Sequence, residues 1–150
     1  FEGVIDVMER LTNLIKPSKI YMGEKDMQQL YLVKNYIEKR YKSKIVPCQT
    51  VRDKKGFALS SRNLLLSNKQ ISKARNLTNH IFDFKYRLKN QKNINNLIQQ
   101  KKNDLNKLFD VKVEYLELRN VKNLKISSKT QGSKIFIAYF INKVRLIDNI

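Results

Sequence analysis

Two hydrophobic periods alternate over the first 47 residues with only short breaks, and this constrains the fold more than any other feature of the chain. Val4, Val7, Met8, Leu11, Leu14 and Ile15 recur at helical spacing, which predicts an amphipathic helix over residues 3–16. Lys16-Pro17-Ser18 stops it, because proline cannot continue the backbone ladder. Lys19-Ile20-Tyr21-Met22 reads as a short strand ending at Gly23, and Met27, Leu30, Val33, Ile37 and Tyr41 form one stripe of a second helix from Asp26 to Arg40. Lys44-Ile45-Val46 reads as another short strand, closed by Pro47. Helix, strand, helix, strand with short connections is the pattern of a parallel α/β sheet. Ligands of such sheets bind beyond the carboxyl ends of the strands. Gly23 to Asp26, and Val51 just after the second strand, fall at that mouth. Two strands are fewer than a doubly wound sheet needs, so this reading expects the others upstream of Phe1.

After Pro47 the pattern changes. Thr50 to Ser61 reads as a polar connection containing Gly56, and Ser67 as the N-cap of a helix over residues 68–89. Leu97, Ile98, Leu105 and Leu108 predict a helix over 93–109. Three β-rich segments follow, at 111–119, 134–141 and 143–148, with 120–133 as a polar connection and Asn142-Lys143 as a tight hairpin turn. Residues from about 51 onward therefore read as a small α+β domain with an antiparallel sheet.

The formal charge of +18 admits a nucleic-acid partner, because Lys and Arg displace counterions from a phosphate backbone. Lysine is nevertheless spread along the whole chain, often beside Asn, as in Lys92-Asn93 and Lys122-Asn123, and reads better as compositional bias. The aromatics show no interleaving with basic residues of the kind base stacking needs, so no nucleic-acid partner is expected. The single Cys48 excludes an internal disulfide and fits a reducing cytosol. No apolar run approaches the roughly 20 residues of a membrane span, so no membrane partner is expected and the location reads as cytoplasmic. Phe1-Glu2-Gly3-Val4 has neither an initiator Met nor a basic segment before an apolar stretch. With a helical pattern already running at Phe1, the chain reads as cut from something longer.

Two segments carry chemistry. In Gly23-Glu24-Lys25-Asp26-Met27-Gln28-Gln29-Leu30, a glycine ends a strand where backbone can come close to a ligand. Lys25 and Asp26 would sit in the first helical turn, where free N–H groups and the dipole favour phosphate. Lys25 and Gln29, four apart on a helix, would project from one face, a cation beside a neutral amide. The alternative is a capped surface helix with a solvated Lys and Gln pair. In Leu59-Ser60-Ser61-Arg62-Asn63, two hydroxyls and a guanidinium make a compact anion clamp, or an ordinary Ser-rich helix entry with a surface Arg.

The order of these segments resembles the pantothenate synthetase family, at Gly23 to Leu30, at Val51-Arg52 followed by Gly56-Phe57-Ala58-Leu59-Ser60-Ser61-Arg62-Asn63, and at the ending Arg145-Leu146-Ile147-Asp148-Asn149. Phe1-Glu2-Gly3-Val4 is similar to the family's Phe-x-Gly-Val. The resemblance implies an α/β fold: residues 1–50 as the C-terminal part of a Rossmann-like domain binding ATP and pantoate, and 51–150 as a small α+β lid domain with an antiparallel sheet. It implies a ligase that activates pantoate with ATP and Mg²⁺ to a pantoyl adenylate, then lets β-alanine attack to give pantothenate, AMP and pyrophosphate. By position, Gly23, Glu24, Lys25 and Asp26 belong to the ATP-binding loop, with Lys25 at the phosphates, and Gln29 to the pantoate site. Val51 would meet adenine through its backbone, and Leu59, Ser60, Ser61 and Arg62 match a mobile second phosphate segment, so that Lys25, Ser60, Ser61 and Arg62 are the expected catalytic groups. A cytoplasmic homodimer is implied as well. Met27, Lys55 and Phe57 depart from the family's usual aromatic, acid and Leu, changes expected to touch packing more than chemistry. The family's His-x-Gly-His motif does not occur in these residues, whose one histidine, His80, reads as structural. The resemblance therefore implies that this stretch alone is close to inactive. Another nucleotidyl transferase of the same superfamily would keep Lys25 and Ser60 to Arg62 but has no reason to keep Gln29 at that spacing.

Overall fold

A computed structural model describes residues 2–89 and 91–150; Phe1 of the Phe-x-Gly-Val match lies outside the described residues. The chain divides between Thr50 and Val51 into two compact units.

In the first unit, α1 (Glu2–Ile15), β1 (Lys19–Gly23), α2 (Met27–Arg40) and β2 (Lys44–Cys48) follow in order, and β1 pairs with β2 in parallel, Lys19 opposite Lys44 and Gly23 opposite Cys48. Val33 and Ile37 of α2 and Ile45 of β2 form the buried centre, with Val4, Ile5, Met8, Ile20 and Met22 packed around it. The expected stripe of α1 is only half used. Val4 and Met8 turn inward, while Val7, Leu11, Leu14 and Ile15 are exposed. The α1 stop is also more specific than a proline block: Lys16 takes a left-handed conformation, φ 50°, and donates its N–H to the Thr12 carbonyl at 2.8 Å. That geometry is an αL cap, placed on the residue that Pro17 bars from continuing in α. β2 runs through Pro47 to Cys48 instead of closing before it. A proline is compatible with a strand paired on one side, and among the described residues β2 pairs only with β1. Ser43 Oγ donates to the Pro17 carbonyl and Lys44 N–H to that of Ser18, which registers the two strand starts.

The second unit holds α3 (Asn68–Arg87), α4 (Ile94–Phe109), and an antiparallel sheet of β3 (Lys112–Asn120), β4 (Ser133–Ile141) and β5 (Val144–Asn149), in the order β3-β4-β5. α3 starts with a capping box: Ser67 Oγ accepts from Gln70 N–H while Gln70 Oε1 accepts from Ser67 N–H, so two of the orphan donors of the first turn are satisfied. Ala74, Leu77 and Ile81 of α3 and Ile98 and Leu105 of α4 pack on Leu116, Ile135, Ile137 and Ile141 of the sheet. β4 is central, and its middle residues, from Ile135 to Tyr139, are all buried. The β4–β5 turn is Asn142-Lys143, with Asn142 left-handed at φ 52° and Ile141 opposite Val144. Tyr139 is buried within this core; burial, with the nearby Asp148 charge, pushes its hydroxyl pKa far up, although a hydrogen bond with Thr78 opposes the shift. His80 meets the Phe109 ring edge-on at 5.1 Å, the structural role its place in a helix predicts. No helix of the described residues is long and apolar enough to cross a membrane.

Ser67→Ala removes one half of the capping box and should cost about 1 kcal/mol, the usual worth of an N-cap hydroxyl. Urea unfolding should show a lower midpoint at an unchanged slope.

Candidate functional site

The two chemistry-bearing segments lie in different units. The first follows the carboxyl end of β1. Gly23 closes that strand in ordinary extended backbone, φ −67° and ψ 133°, so no glycine-only conformation is used there. A Cβ there would meet nothing within 4 Å, so among the described residues no close approach requires glycine, and the position faces open space. Glu24–Asp26 form a 3-10 turn, and the α-helix begins only at Met27. This corrects the sequence expectation that Lys25 and Asp26 share the first α-helical turn. Asp26, at φ −95° and ψ 53°, breaks helical continuity, so the four-residue spacing of Lys25 and Gln29 spans two kinds of turn. Asp26 also makes no side-chain cap, and therefore does not consume the N–H groups of the helix start. Met27 and Leu30 are buried and anchor the helix, while Lys25 and Gln29 are half-buried and Gly23 and Asp26 exposed.

The second segment is built by a hairpin that local pattern did not reveal. Arg52 and Ala58 form an antiparallel bridge, with Leu59 N–H on the Val51 carbonyl and Asp53 N–H on that of Phe57, both at 2.9 Å. Asp53 shapes the turn: Oδ1 accepts from Lys55 and Phe57 N–H, and Oδ2 accepts from Arg75 Nε at 2.7 Å. Gly56 closes it at φ +82°, a conformation that favours glycine, and a Cβ there would stand 3.4 Å from Phe82 Cε2. Burial works against the Asp53 charge, but the Arg75, Phe57 and Lys55 donors outweigh it and hold its pKa below the usual carboxylate value.

Arg52 locks this hairpin to the far end of the chain. Its guanidinium donates to both Asp148 carboxylate oxygens, at 2.7 and 2.8 Å, and to the carbonyls of Gly56 and Asn149, each at 3.0 Å. Asp148 is only 7% exposed and Arg52 20%, so the pair is shielded from water. Arg52 and Asp148 are the residues that sequence reasoning quoted without giving them a role. The available signal was an acid in the apolar strand Leu146-Ile147-Asp148, which demands a buried cation.

The expected clamp residues emerge from this frame. Phe57 and Ala58 are buried; Leu59 is 51% exposed and Val51 68%. Ser60–Ser61–Arg62 turn the chain into a 3-10 helix, Ser61–Leu65, with Ser60 Oγ accepting from Arg62 N–H at 3.2 Å. Arg62 donates from one Nη to the Arg145 carbonyl of β5 at 2.8 Å, and the guanidinium is otherwise exposed with further donors. Asn63 donates to the Ala58 carbonyl, and its buried Oδ1 accepts nothing among the described residues. Arg145 in turn grips Glu114 of β3 at 2.7 and 3.1 Å, and that hydrogen bond lowers the Glu114 pKa. The structure thus brings Leu59, Ser60, Ser61 and Arg62 together on one turn beside β5, as it brings Gly23, Glu24, Lys25 and Asp26 together on another. Among the described residues, no group of three or more His, Cys, Asp or Glu could hold a metal ion.

A family model described as Pantoate-beta-alanine ligase matches residues 1–150. The pantothenate synthetase of Campylobacter fetus subsp. fetus is 35% identical over 151 residues, covering 100% of this chain and 55% of that protein. A crystal structure of pantothenate synthetase from Thermus thermophilus superimposes at a TM-score of 0.88 with 30% identity, over 100% of this chain and 55% of its own. The pantoate-beta-alanine ligase of Francisella tularensis, crystallised in complex with beta-gamma ATP and beta-alanine, matches at a TM-score of 0.75 and 31% identity, over 99% of this chain and 49% of its own. The chain spans about half the length of these relatives.

Replacing Asp148 by Asn should remove one charge-assisted hydrogen-bonding partner of Arg52 and cost about 2–3 kcal/mol. Amides of residues 52–58 should exchange faster in the same variant. The Asp53 contribution carries a pH signature. Because its folded pKa is depressed, its stabilisation is present above the unfolded value of 3.8 and is lost as pH falls through the folded value. The stability gap between the unsubstituted chain and Asp53→Asn, followed by urea unfolding, should close over that acidic window.

Proposed function

The chain belongs to the pantoate-beta-alanine ligase family, and we propose that it supplies one part of the ATP site and the pantoate contact for a reaction joining pantoate to β-alanine through a pantoyl adenylate. One observation carries this reading: the turn bearing Lys25 and leading to Gln29 follows the carboxyl end of a parallel strand, where such sheets bind ligands. The Francisella tularensis relative, complexed with beta-gamma ATP and beta-alanine, supports the choice of nucleotide and of amine.

The chemistry asked of these residues is modest. A pantoate carboxylate oxygen attacks the α-phosphorus of ATP; the α–β bridging bond breaks and pyrophosphate leaves. The amine of β-alanine, having lost a proton, then attacks the acyl carbon, and AMP leaves with the electron pair of the broken C–O bond. No covalent enzyme nucleophile is needed. Charge builds on the phosphates in the first step, so the ammonium of Lys25, the hydroxyls of Ser60 and Ser61 and the fork of Arg62 act by holding donors where that charge develops. Gly23 faces open space beside the turn, with Glu24 and Asp26 as its flanks; Val51 offers backbone to adenine beside exposed Leu59. Gln29, neutral and half-buried, suits the hydroxyl-bearing pantoate. Glu24 and Asp26 meet no third metal-binding side chain among the described residues, so no residue is assigned to Mg²⁺, which the nucleotide phosphates would hold. A cytoplasmic homodimer belongs to the same reading; the free thiol of Cys48 fits a reducing compartment.

The roles separate experimentally in a ligase of family length that carries these residues. Lys25→Ala should lower kcat about 10²-fold, the scale of one lost transition-state contact. Gln29→Ala should act chiefly on the KM for pantoate. Titration calorimetry with ATP and with pantoate decides between this division and a single shared nucleotide role: equal losses of ATP affinity in both variants would contradict it.

A further inference from the structure

Helix α3, the turn after it and the β3–β4 connection border a groove of about 550 Å³ lined by Phe82, Lys85, Tyr86, Lys89, Thr130 and Gln131, none of them a residue of the two segments. Phe82, Lys85 and Tyr86 share one face of α3, and Lys89 follows in the turn after it, so rings alternate with ammonium groups along the groove. In the sequence this interleaving is hidden, because Asp83, Phe84 and Arg87 stand between them and the helix turns them elsewhere. Phe84 is buried, and the Asp83 charge acts on Lys101.

The rings are set differently. Phe82 is fixed from behind: the Arg52 guanidinium carbon lies 5.3 Å from its centroid, and Gly56 backs its edge. Tyr86 is 74% exposed, an unusual waste of a large ring, with Lys89 Nζ 5.3 Å from its centroid. Lys85 is half-buried, and burial followed by the charges of Lys134 and Lys89 makes its own charge harder to hold. Two cations and two rings thus line the groove with no carboxylate among the lining residues. An anion relieves that repulsion, and a flat ring covers Tyr86. Thr130 and Gln131 add neutral donors and acceptors at the rim.

We propose that this groove binds a nucleotide unit, with its phosphate between Lys85 and Lys89 and its base stacked on Tyr86. A volume in the range of ordinary ligand sites, roughly 300–1,000 Å³, accommodates one such unit. Inorganic phosphate would leave the rings unused, and an acidic peptide without aromatic residues offers no ring to stack. The unit could be a free mononucleotide or one residue of a single strand, since the recognising chemistry is shared. The site is separate from the residues proposed for the ligase reaction and does not depend on that reading.

The chain contains no tryptophan, so Tyr86→Trp places a single indole in the groove as a fluorescent reporter. AMP, a short oligothymidylate, inorganic phosphate and polyglutamate are titrated at low salt. AMP or the oligonucleotide should quench the indole, and adding Lys85→Gln with Lys89→Gln should weaken that binding about tenfold or more. The charge-matched pair Lys69→Gln with Lys107→Gln should change it less than about twofold, as expected of solvated surface charges. Quenching at lower nucleotide concentration by the strand than by AMP identifies nucleic acid as the source; the reverse identifies a free nucleotide. Repeating the AMP titration with Lys25→Ala separates the groove from the ligase site and should leave the quench intact. The proposal is overturned by no quenching from either nucleotide ligand, by equal effects of the two lysine pairs, by phosphate or polyglutamate quenching as strongly as AMP, or by loss of the quench with Lys25→Ala.

Discussion

The pairing of Arg52 with Asp148 is the constraint on which the second unit's chemistry rests. It joins the first hairpin of that unit to its last strand across 96 residues of sequence. The two terminal nitrogens of Arg52 reach four acceptors: two carboxylate oxygens and two backbone carbonyls. A shielded ion pair of this kind contributes little net stability over an apolar replacement, because desolvating both charges costs much of what their attraction returns. Its value is geometric. A planar guanidinium that satisfies four acceptors fixes the hairpin in one orientation, and the turn carrying Ser60 to Arg62 leaves from that hairpin. Lysine could not replace it, having no fork to span a carboxylate.

The same division between arginine and lysine runs through the molecule. Arg75 holds Asp53, Arg119 holds Glu117 and Arg145 holds Glu114, each at 2.6 to 2.7 Å. The lysine surplus lies largely on exposed positions such as Lys54, Lys69 and Lys107. The excess charge is therefore tolerated as solvated ammonium groups while guanidinium groups do the positioning. That accounts for how a chain of formal charge +18 keeps ordered turns.

What could be read in advance follows from the range of the interaction responsible. Elements built on local periodicity were legible: both helix–strand pairs of the first unit, the α3 cap at Ser67, the Asn142-Lys143 turn and the three-stranded sheet. The stretch from Thr50 to Ser61 was not, because its shape comes from one aspartate binding backbone, one glycine at φ +82° and one distant acid. The Lys25 turn was misread by one kind of helix, since the break lies in the backbone of Asp26, which hydrophobic spacing does not report. The helix of residues 3–16 was legible too, and within the first unit it packs through Val4, Ile5 and Met8. The candidate site residues became specific through the order of two motifs, where spacing alone left each as either a phosphate clamp or plain surface.

Tyr139 has a consequence for how this fold meets alkali. An unfolded tyrosine ionises near pH 10, whereas this one, sealed beside Asp148, resists ionisation far beyond that. Its protonated form is favoured by the native core, so the associated stability is whole below pH 10 and drains away as base is added. The chain's near-ultraviolet absorption comes from seven tyrosines and no tryptophan. On alkaline titration Tyr139 would become phenolate only when its core opens. The protein thus carries its own indicator dye, one whose late colour change reports the melting of the antiparallel sheet.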